Sequence, residues 1–471
     1  MEFAIKNPQI YLYNTLARQK EIFEPIKHGE VKMYVCGPTV YHYAHIGNLR
    51  AYVFADTLRR MLEFNGLRVK QVMNITDVGH LSSDSDSGED KLEKGAKREG
   101  KTVWEVAKFY TTQFLDDLKL LNIETPAVMP KATDHIKEMI SLIHLLEKKE
   151  LTYTADGNVY FDTSKFDHYG LLSGSKVATE QTESRVEIDP NKKHPADFVL
   201  WFTRYKYLDH AMMWDSPWGK GFPGWHIECS AMATKYLGEH IDIHTGGVDH
   251  IAVHHTNEIA QSEGAFGHKW VNVWMHNDFL QVQDGVKMAK SDDNFLRLQS
   301  IIDKGYDPLD YRYYLLGGHY RTKMNFSFAA MDGAKNSLAR LKNQIAEIKK
   351  DDSKTSNLEN QTKYLDRFAA AVNQDLNTAV ALAVLWEAVG DAALSKSDKI
   401  DLISRFDQVF GLDLLADKVG QIPADVEALV SQRDKARADK DWARSDELRG
   451  QIAKLGYSVL DEKSGPKVEK L

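Results

Sequence analysis

The stretch that decides the fold is KMYVCGPTVYHYAHIGNLRAYVFADTLRRMLEFNGLRVKQVMNITDVG, residues 32–79. It opens with a β-rich run that contains a Gly-Pro turn signal. Apolar residues at helical spacing follow and reach Gly66, a residue typical of a helix C-terminus, before a second β-rich run begins at Val69. This strand–helix–strand order predicts a doubly wound parallel sheet with its ligand crevice at the carboxyl ends of the strands.

The composition excludes several classes of protein. The chain has 471 residues, of which 43% are hydrophobic and 27% charged, as expected for a globular protein of two to four domains. It has no long apolar run and no secretory pattern at its N-terminus, which predicts a cytoplasmic protein without a membrane span. A net charge of −8 excludes a uniformly basic nucleic-acid coat but not a local basic face.

Further along the chain the α/β pattern is interrupted and then resumes. A mixed segment covers about 130–220, and a β-rich run returns with HIDIHTGG at 240–247. From about 328 onward the pattern is helical: apolar residues recur three and four positions apart at Leu338, Leu341, Ile345 and Ile348. A polar linker at 351–357 precedes a dense apolar helix that Asn377 and Thr378 are suited to cap.

The first candidate signature is His45-Ile46-Gly47-Asn48, at the start of the first predicted helix. An open α/β sheet binds phosphate at this position, because helix N-terminal amides face the anion and glycine allows close approach. Four residues alone also fit a chance match. The position behind Gly37-Pro38-Thr39, in the first strand-to-helix turn, favours the phosphate site.

The second candidate signature is Lys287-Met288-Ala289-Lys290-Ser291, which follows a glycine. Two lysines on such a loop are suited to binding a polyphosphate, because each ammonium group is a mobile point charge. A charge pair of this kind, taken alone, is usually a solvated surface loop. The order and separation of the two signatures are more specific than either one.

The chain has only two cysteines, Cys36 and Cys229, so a disulfide framework is excluded. Cys36 ends the first strand, beside the first signature. His254 and Glu258 stand four positions apart, which places them on one helix face. Two thiolates, an imidazole and a carboxylate make a zinc shell. The alternatives are thiols packed as small hydrophobes and a histidine that only satisfies the core.

Four segments together resemble cysteinyl-tRNA synthetases, which belong to class I of the aminoacyl-tRNA synthetases. They are YVCGPTVY with the first signature, GWHIECSAM, the Gly-Gly-Val-Asp segment with HHTNEIAQ, and KMAKS. The resemblance runs from about residue 10 to about 462. It implies one zinc per chain, held by Cys36, Cys229, His254 and Glu258 and binding the thiolate of the substrate.

The resemblance also implies the other site residues. His45 and Lys290 would be catalytic. The implied ATP-binding residues are His45, Gly47, Asn48, Lys287, Lys290 and Ser291. The implied substrate-binding residues are Gly37, Thr39, Trp225 and Asp249, with Trp225 as a wall of the cysteine pocket.

The implied activity joins L-cysteine to tRNA(Cys) by way of a cysteinyl-adenylate, with ATP and Mg²⁺ as substrate and a monomer as the acting form. Apolar packing separates near-isosteres such as cysteine and serine by only about 10–200-fold. A zinc ion prefers soft sulfur to a neutral hydroxyl, so it can select cysteine without an editing domain.

The pattern and the resemblance together predict the domains. The fold class is α/β, a Rossmann-type parallel-sheet catalytic domain with an inserted connective domain, followed by a helical-bundle tRNA-binding region. The expected boundaries are 1–130 and 220–275 for the two catalytic halves, 131–219 for the insertion, 276–330 for the region of the KMAKS loop and stem contact, 331–415 for the helical bundle and 416–471 for the C-terminal anticodon-binding region.

Several positions depart from the family pattern. Asn48 stands where histidine is usual, Ala289 where serine is common and Thr256 where glutamate is usual. Asparagine can still donate a hydrogen bond to phosphate or ribose. After Asp77 the usual acidic pair is replaced by Val78-Gly79-His80 and the run SSDSDSGEDK at 82–91, which predicts a solvated loop, since it lacks the ligand spacing of a calcium site.

The tail, 428–465, mixes basic and acidic residues. Its basic side chains could contact phosphates, and Trp442 could stack on a base or join the core. The basic residues are Arg433, Lys435, Arg437, Lys440, Arg444 and Arg449. The composition also fits a solvated helical hairpin with internal ion pairs; the resemblance favours tRNA contact.

Two rival functions stay open. The related cysteine ligase of mycothiol synthesis shares the zinc and both signatures but joins cysteine to an amino sugar. It normally lacks the C-terminal region that this chain has. A non-catalytic tRNA- or zinc-binding paralogue is the other rival, and the presence of His45, Lys290 and the four metal ligands argues against it.

Overall fold

The structure is a computed structural model. It describes residues 9–79, 90–174, 189–204, 211–282, 286–287, 295–350, 358–416, 424–439, 441–462 and 465–470. Lys290 and Ser291 of the second signature, most of the Ser/Asp-rich run and Lys440 lie outside these residues. The chain divides into two compact units, Met1–Leu414 and Leu415–Leu471.

The elements of the first unit, in chain order, are as follows. The strands are β1 (Tyr11–Asn14), β2 (Gln19–Ile22), β3 (Glu30–Val35), β4 (Arg68–Met73), β5 (Thr152–Ala155), β6 (Asn158–Phe161), β7 (Phe198–Phe202), β8 (Phe222–Pro223), β9 (Ile241–Gly247), β10 (Val271–Asn277), β11 (Leu280–Val282), β12 (Val286–Lys287) and β13 (Met324–Phe326). The helices are α1 (Ile46–Phe64), α2 (Lys91–Glu99), α3 (Val103–Leu120), α4 (Ile136–Lys148), α5 (Trp225–Leu237), α6 (His254–Phe266), α7 (Leu298–Ile302), α8 (Pro308–Leu316), α9 (Phe328–Lys349), α10 (Leu358–Asn373), α11 (Thr378–Gly390) and α12 (Lys396–Phe410).

A four-stranded parallel sheet in the order β10-β9-β3-β4 organises this unit. Val35 pairs with Thr245 on one side and with Met73 on the other, and Asn277 pairs with Gly247. The strands therefore end together, and the segments that leave them meet at one edge of the sheet. The prediction of a Rossmann-type parallel sheet is confirmed.

Helix α1 connects β3 to β4 and lies buried along most of its length. His45 caps its N-terminus, and Gly66 follows its C-terminus with a φ of +81°. A side chain at Gly66 would be strained in this left-handed conformation, which explains why glycine ends the helix. The predicted helix and its stop signal are thus present.

The interruption between the two halves of the parallel sheet is an antiparallel sheet in the order β5-β6-β7-β8. Phe161, Phe198 and Trp201 of this sheet are buried in one core with residues of α4, α5 and α6. This core fixes the two helices that carry Cys229 and His254.

Helix α2 was not expected from the sequence, because the polar run before it indicated a loop. Asp90 is its N-cap, accepting a hydrogen bond from the backbone N–H of Glu93 at 2.8 Å. Gly100 ends the helix in the left-handed conformation. The Asp90–Glu93 spacing is a start signal that the Ser/Asp-rich composition concealed.

Helices α9–α12 form the helical part of the first unit. The predicted face of α9 is buried, and Asn377 caps α11 as expected, accepting a hydrogen bond from the N–H of Val380. Within the described residues, no helix has the length and apolar character that a membrane crossing needs.

The second unit contains helices α13 (Ala424–Ala438) and α14 (Trp442–Lys454) and the antiparallel strands β14 (Tyr457–Glu462) and β15 (Gly465–Lys470). Arg433 was predicted as a phosphate contact, and this is wrong. Its guanidinium is 1% exposed and donates to both carboxylate oxygens of Asp461, at 2.8 and 2.9 Å. Lys435, Arg444 and Arg449 are exposed.

Candidate active site

A cavity of about 640 Å³ opens at the carboxyl edge of the parallel sheet. It is lined by the segments that follow β3, β4, β9 and β10 and by the start of α1. Its position is the one that doubly wound sheets use for ligands. Seven of the residues predicted for ATP and substrate line this cavity: Gly37, Thr39, His45, Gly47, Asn48, Trp225 and Asp249.

Cys36 and Gly37 leave β3 at the floor of the cavity. The backbone N–H of Cys36 donates to the carbonyl oxygen of Thr245 at 3.1 Å, which fixes the thiol beside the end of β9. Gly37 approaches Asn74 so closely that a Cβ would lie 1.5 Å from the Asn74 carbonyl oxygen. Only glycine fits there, and it allows the backbone next to Cys36 to pack directly against the backbone of Asn74.

The other three proposed metal ligands come from two packed helices. Cys229 lies in the first turns of α5, and His254 and Glu258 lie one turn apart on α6. The Nε2 atom of His254 is 2.9 Å from a carboxylate oxygen of Glu258. All three side chains are buried.

The structure brings the four predicted ligands together. The ligand atoms of Cys36, Cys229, His254 and Glu258 all lie within 4.8 Å of one another. Two sulfurs, one ring nitrogen and one carboxylate oxygen at this spacing suit Zn²⁺, which takes four such ligands. The donor set therefore fits the metal that the sequence predicted, and this buried group could hold one ion.

The electrostatics favour the metal-binding form of two ligands and oppose it in the other two. Burial raises the pKa of Cys36 well above its usual value. Burial works to lower the pKa of His254, but Glu258 and Cys229 outweigh it and raise the pKa to about 10. Burial works to raise the pKa of Glu258, but His244 and His254 outweigh it and lower the pKa to about 2. The hydrogen bond from Cys36, opposed by burial and aided by His254, lowers the pKa of Cys229 to about 7. Because a metal ion binds the deprotonated forms, its binding to this group would release protons from Cys36 and His254.

A second set of donors shares two of these ligands. Cys36 and Glu258 also lie within 4.8 Å of ring nitrogens of His244 and His255. However, His244 and His255 are fully buried and do not line the cavity, whereas Cys36, Cys229 and His254 do. A substrate in the cavity can reach an ion in the first set, so the first set is the better candidate.

Three further histidines, His244, His255 and His276, contact the proposed ligands or one another, and the sequence did not predict these contacts. His255 Nε2 lies 3.2 Å from the sulfur of Cys36, and its Nδ1 lies 2.7 Å from Nε2 of His276. His244 Nε2 lies 2.9 Å from Glu258. These contacts orient two of the ligands. The sequence signal was the density of histidine near His254, which could not indicate which rings pair.

The first signature forms a capping box. The backbone N–H of Asn48 donates to Nδ1 of His45 at 3.0 Å, and the backbone N–H of His45 donates to the amide oxygen of Asn48 at 3.3 Å. With Nδ1 as an acceptor, the neutral ring of His45 carries its proton on Nε2. Asn48 therefore preserves the local geometry at a position where the family usually has histidine.

The segment after the second signature is anchored to the first. The carbonyl oxygen of Leu296 accepts a hydrogen bond from the N–H of Ile46 at 2.9 Å, and the ring of Phe295 packs edge-on against His45 at a centroid distance of 5.9 Å. Lys287 lies in β12, which pairs with β11. Lys287 is thus held to β11, and the chain after the second signature is held to the start of α1 at Leu296.

Thr256, one of the departures from the family pattern, has a local role. Its buried hydroxyl donates to the carbonyl oxygen of Ile251 at 2.7 Å. This bond closes the turn that leads into α6. Threonine there stabilises the start of the helix that carries His254 and Glu258.

Arg50 is a further residue that the sequence did not single out. It is 3% exposed, and its guanidinium donates to four backbone carbonyls. The acceptors are Phe279, His319, Tyr320 and Thr322. Because Phe279 directly precedes β11, this arginine connects α1 with the strand that enters the second signature.

Two solved structures of aminoacyl-tRNA synthetases share this fold. A LeuRS–tRNA–LeuAMS ternary complex from Agrobacterium radiobacter K84 matches with a TM-score of 0.58 at 11% identity, over 83% of this chain and 84% of that chain. Mycobacterium tuberculosis methionyl-tRNA synthetase with methionyl-adenylate matches with a TM-score of 0.56 at 15% identity, over 82% and 88%. At such identities the likeness shows the fold alone.

The sequence families define the class more closely. The family described as "tRNA synthetases class I (C) catalytic domain" matches residues 22–336, and "Cysteinyl-tRNA ligase anticodon binding domain" matches residues 420–467. The fold and the site are thus those of a class I tRNA synthetase with an RNA-binding region. A Cysteine--tRNA ligase of Treponema denticola is 47% identical over 96% of this chain and 98% of its own length. Cysteine--tRNA ligase 1 of Burkholderia lata is 46% identical over 97% and 96%. The chain belongs to the cysteine–tRNA ligase family.

Proposed function

We propose that the chain activates L-cysteine with ATP to cysteinyl-adenylate and transfers the cysteinyl group to the 3′ end of tRNA(Cys). One observation carries the proposal. The buried group Cys36, Cys229, His254 and Glu258 lies on the cavity whose other wall is the capped start of α1 at His45. A thiol-selecting floor and a phosphate-binding wall therefore face the same space.

Cys36, Cys229, His254 and Glu258 would hold zinc. When bound, zinc supplies a soft Lewis acid that takes the substrate sulfur as a thiolate and discriminates against the hydroxyl of serine. The chain's own residues would hold the rest of the amino acid. The indole of Trp225 would form one wall of the pocket for the cysteine side chain, and the carboxylate of Asp249 would attract the substrate ammonium.

In the activation step, a carboxylate oxygen of cysteine attacks the α-phosphorus of ATP and pyrophosphate leaves. The N–H at Nε2 of His45 and the positive end of the α1 dipole would stabilise the charge on the phosphates, together with Lys290 and the Mg²⁺ that accompanies ATP. In the transfer step, a ribose hydroxyl of the tRNA attacks the carbonyl carbon and AMP leaves. Positioning of the reacting groups would supply most of the rate.

The match of residues 420–467 to an anticodon-binding domain supports tRNA as the partner. The proposal includes tRNA(Cys) as the particular tRNA, a monomer as the acting form and the cytoplasm as the place of action. It also assigns 131–219 to the connective insertion and 331–415 to the helical bundle. Light scattering on the purified protein tests the monomer.

The test is cysteine-dependent ATP–pyrophosphate exchange, followed by charging of tRNA(Cys) and by metal analysis of the same sample. Exchange and charging are expected. Exchange without charging, but with ligation of cysteine to an amino sugar, would support the mycothiol-type ligase instead. Absence of exchange in zinc-loaded protein would favour a non-catalytic paralogue.

A further inference from the structure

Lys91 contributes a positive charge to the cavity, and none of the roles above uses it. Its side chain lines the cavity together with Cys36, Trp225 and Asp249. Among the described residues that line this space, it is the one lysine or arginine, whereas Asp249 and Asp278 both contribute carboxylates. Lys91 is therefore the residue of the described cavity wall whose basic side chain can attract an anionic ligand.

The fold fixes the position of this charge. Lys91 is the first residue of α2, directly after the buried N-cap Asp90. The helix rests on the cavity wall at Gly95, where a Cβ would lie 3.1 Å from the carbonyl oxygen of Tyr41. The carboxylate of Glu93 also accepts a hydrogen bond from the N–H of Ala211 at 3.0 Å. A capped and anchored helix thus presents the lysine to the cavity.

Lys91 stands next to the place proposed for cysteine. Its ammonium nitrogen lies over the ring of Trp225, 5.6 Å from the centroid. The same ring stacks on the imidazole of His254 with centroids 4.3 Å apart. The ammonium and a proposed zinc ligand therefore both lie against the ring of Trp225, and all three residues line the same cavity.

Resting on the proposed function, we infer that Lys91 binds the α-carboxylate of the cysteine substrate. The α-carbon of cysteine carries three groups that need a partner: the thiolate, the ammonium and the carboxylate. The zinc ligands and Asp249 account for the first two. A lysine ammonium is a compact charge with three donors, and it can pair with the carboxylate while an oxygen of that group attacks phosphorus.

The experiment compares Lys91→Gln and Lys91→Arg with a control, Lys94→Gln, which removes an exposed lysine of the same helix. Cysteine is the substrate in pyrophosphate exchange, and cysteamine, which keeps the thiol and the amine but lacks the carboxylate, is the inhibitor. Calorimetric titration measures binding of both compounds directly. Zinc content and circular dichroism show whether each variant is folded and loaded.

Lys91→Gln is expected to raise the KM and the Kd for cysteine about tenfold or more, since a hydrogen bond to a charged group is lost. The inhibition constant of cysteamine and the KM of ATP should stay unchanged, Lys91→Arg should restore part of the affinity, and Lys94→Gln should behave as wild type. An unchanged KM for cysteine, an equal loss for cysteamine, or a rise confined to the KM of ATP would each overturn the inference.

The outcome separates this inference from the proposed function. Failure of the wild-type protein to exchange pyrophosphate contradicts the proposed function. The calorimetric comparison of cysteine with cysteamine still decides the role of Lys91 in that case. Wild-type exchange together with equal binding of cysteine by Lys91→Gln contradicts only the role of the lysine.

Discussion

The indole of Trp225 stacks on the imidazole of His254, with ring centroids 4.3 Å apart and planes inclined by 24°. Trp225 begins α5 and His254 begins α6, so this contact joins the two helices that carry the proposed zinc ligands. It also gives the cavity an aromatic wall next to the metal-binding floor. The tryptophan thus contributes to the shape of the cavity proposed for cysteine and to the orientation of a proposed zinc ligand.

Replacing Trp225 by Ala should therefore raise the KM for cysteine about tenfold or more, because the pocket loses its wall and about 150–250 Å² of buried aromatic surface. Trp225→Phe keeps a ring against His254 and should stay closer to wild type. Pyrophosphate exchange at varied cysteine concentration measures both variants. An alanine variant with an unchanged KM would contradict the assignment of Trp225 to the pocket.

Replacing Cys229 by Ser should lower zinc content and reduce cysteine-dependent exchange about 100-fold or more, since a hydroxyl is a poor substitute for a thiolate ligand. Metal analysis after dialysis measures the zinc. Ser230→Ala, which changes the next residue of the same buried helix turn, is the control and should keep its zinc. Full zinc content in the Cys229→Ser protein would show that zinc binding does not depend on Cys229.

Arg50 should be needed for stability and for the position of the second signature. Arg50→Gln removes a buried guanidinium that donates to four backbone carbonyls and should lower the free energy of unfolding by about 2–4 kcal/mol. Arg68→Gln removes an arginine whose side chain is 79% exposed and should change it by less than about 0.5 kcal/mol. Urea unfolding checks both variants, and equal midpoints for Arg50→Gln and wild type would contradict the argument.

Asp117 on α3 should make stability depend on pH. Burial, with Asp116 adding to it and Arg297 opposing it, raises the pKa of its carboxyl to about 7. An acid whose folded pKa is raised favours the folded state below its unfolded pKa, near 4, and this contribution is lost as the pH rises toward 7. The melting temperature of wild type minus that of Asp117→Asn should therefore fall between about pH 4 and pH 7.

Thermal unfolding followed by circular dichroism at several pH values measures this difference. Asp116→Asn, at the exposed neighbouring position, serves as the control. A difference between wild type and Asp117→Asn that is constant over the range, or that grows as the pH rises, would contradict the raised pKa.

The exposed basic residues of the C-terminal unit should contribute to tRNA binding. Lys435→Ala and Arg449→Ala are each expected to raise the KM for tRNA(Cys) several-fold and to make binding less sensitive to salt, as the loss of a phosphate contact would. Pyrophosphate exchange, which needs no tRNA, should be unaffected. Asp439→Asn, an exposed acidic position in the same unit, should not weaken charging; equal charging by all three variants would leave these residues without the proposed role.

The parallel sheet could be predicted because each of its elements carries its own local signal. The apolar runs, the helical spacing and Gly66 are properties of neighbouring residues. The grouping of Cys36 with Glu258 could be predicted for a different reason. The residue types indicated a set of zinc ligands, and the family resemblance identified the members of that set. Neither periodicity nor composition could have paired residues so far apart in the chain.

The features that were missed depend on tertiary contacts. Arg433 resembles any basic residue of a charged tail, and only its partner Asp461, on a later strand, shows that it is buried. Arg50 falls on a helix whose other residues are mostly apolar, and its acceptors are backbone carbonyls that carry no sequence signal. Helix α2 was concealed by the polar run before it, although Asp90 and Glu93 form a cap.

The most direct test of the central claim is pyrophosphate exchange with cysteine and with serine, on protein as purified and on protein depleted of zinc by a chelator. The account predicts exchange with cysteine and essentially none with serine, loss of the cysteine-dependent exchange on depletion, and its return when zinc is added back. Exchange with cysteine that survives complete depletion, or similar rates with serine, would contradict the claim that a zinc ion held by Cys36, Cys229, His254 and Glu258 selects the substrate.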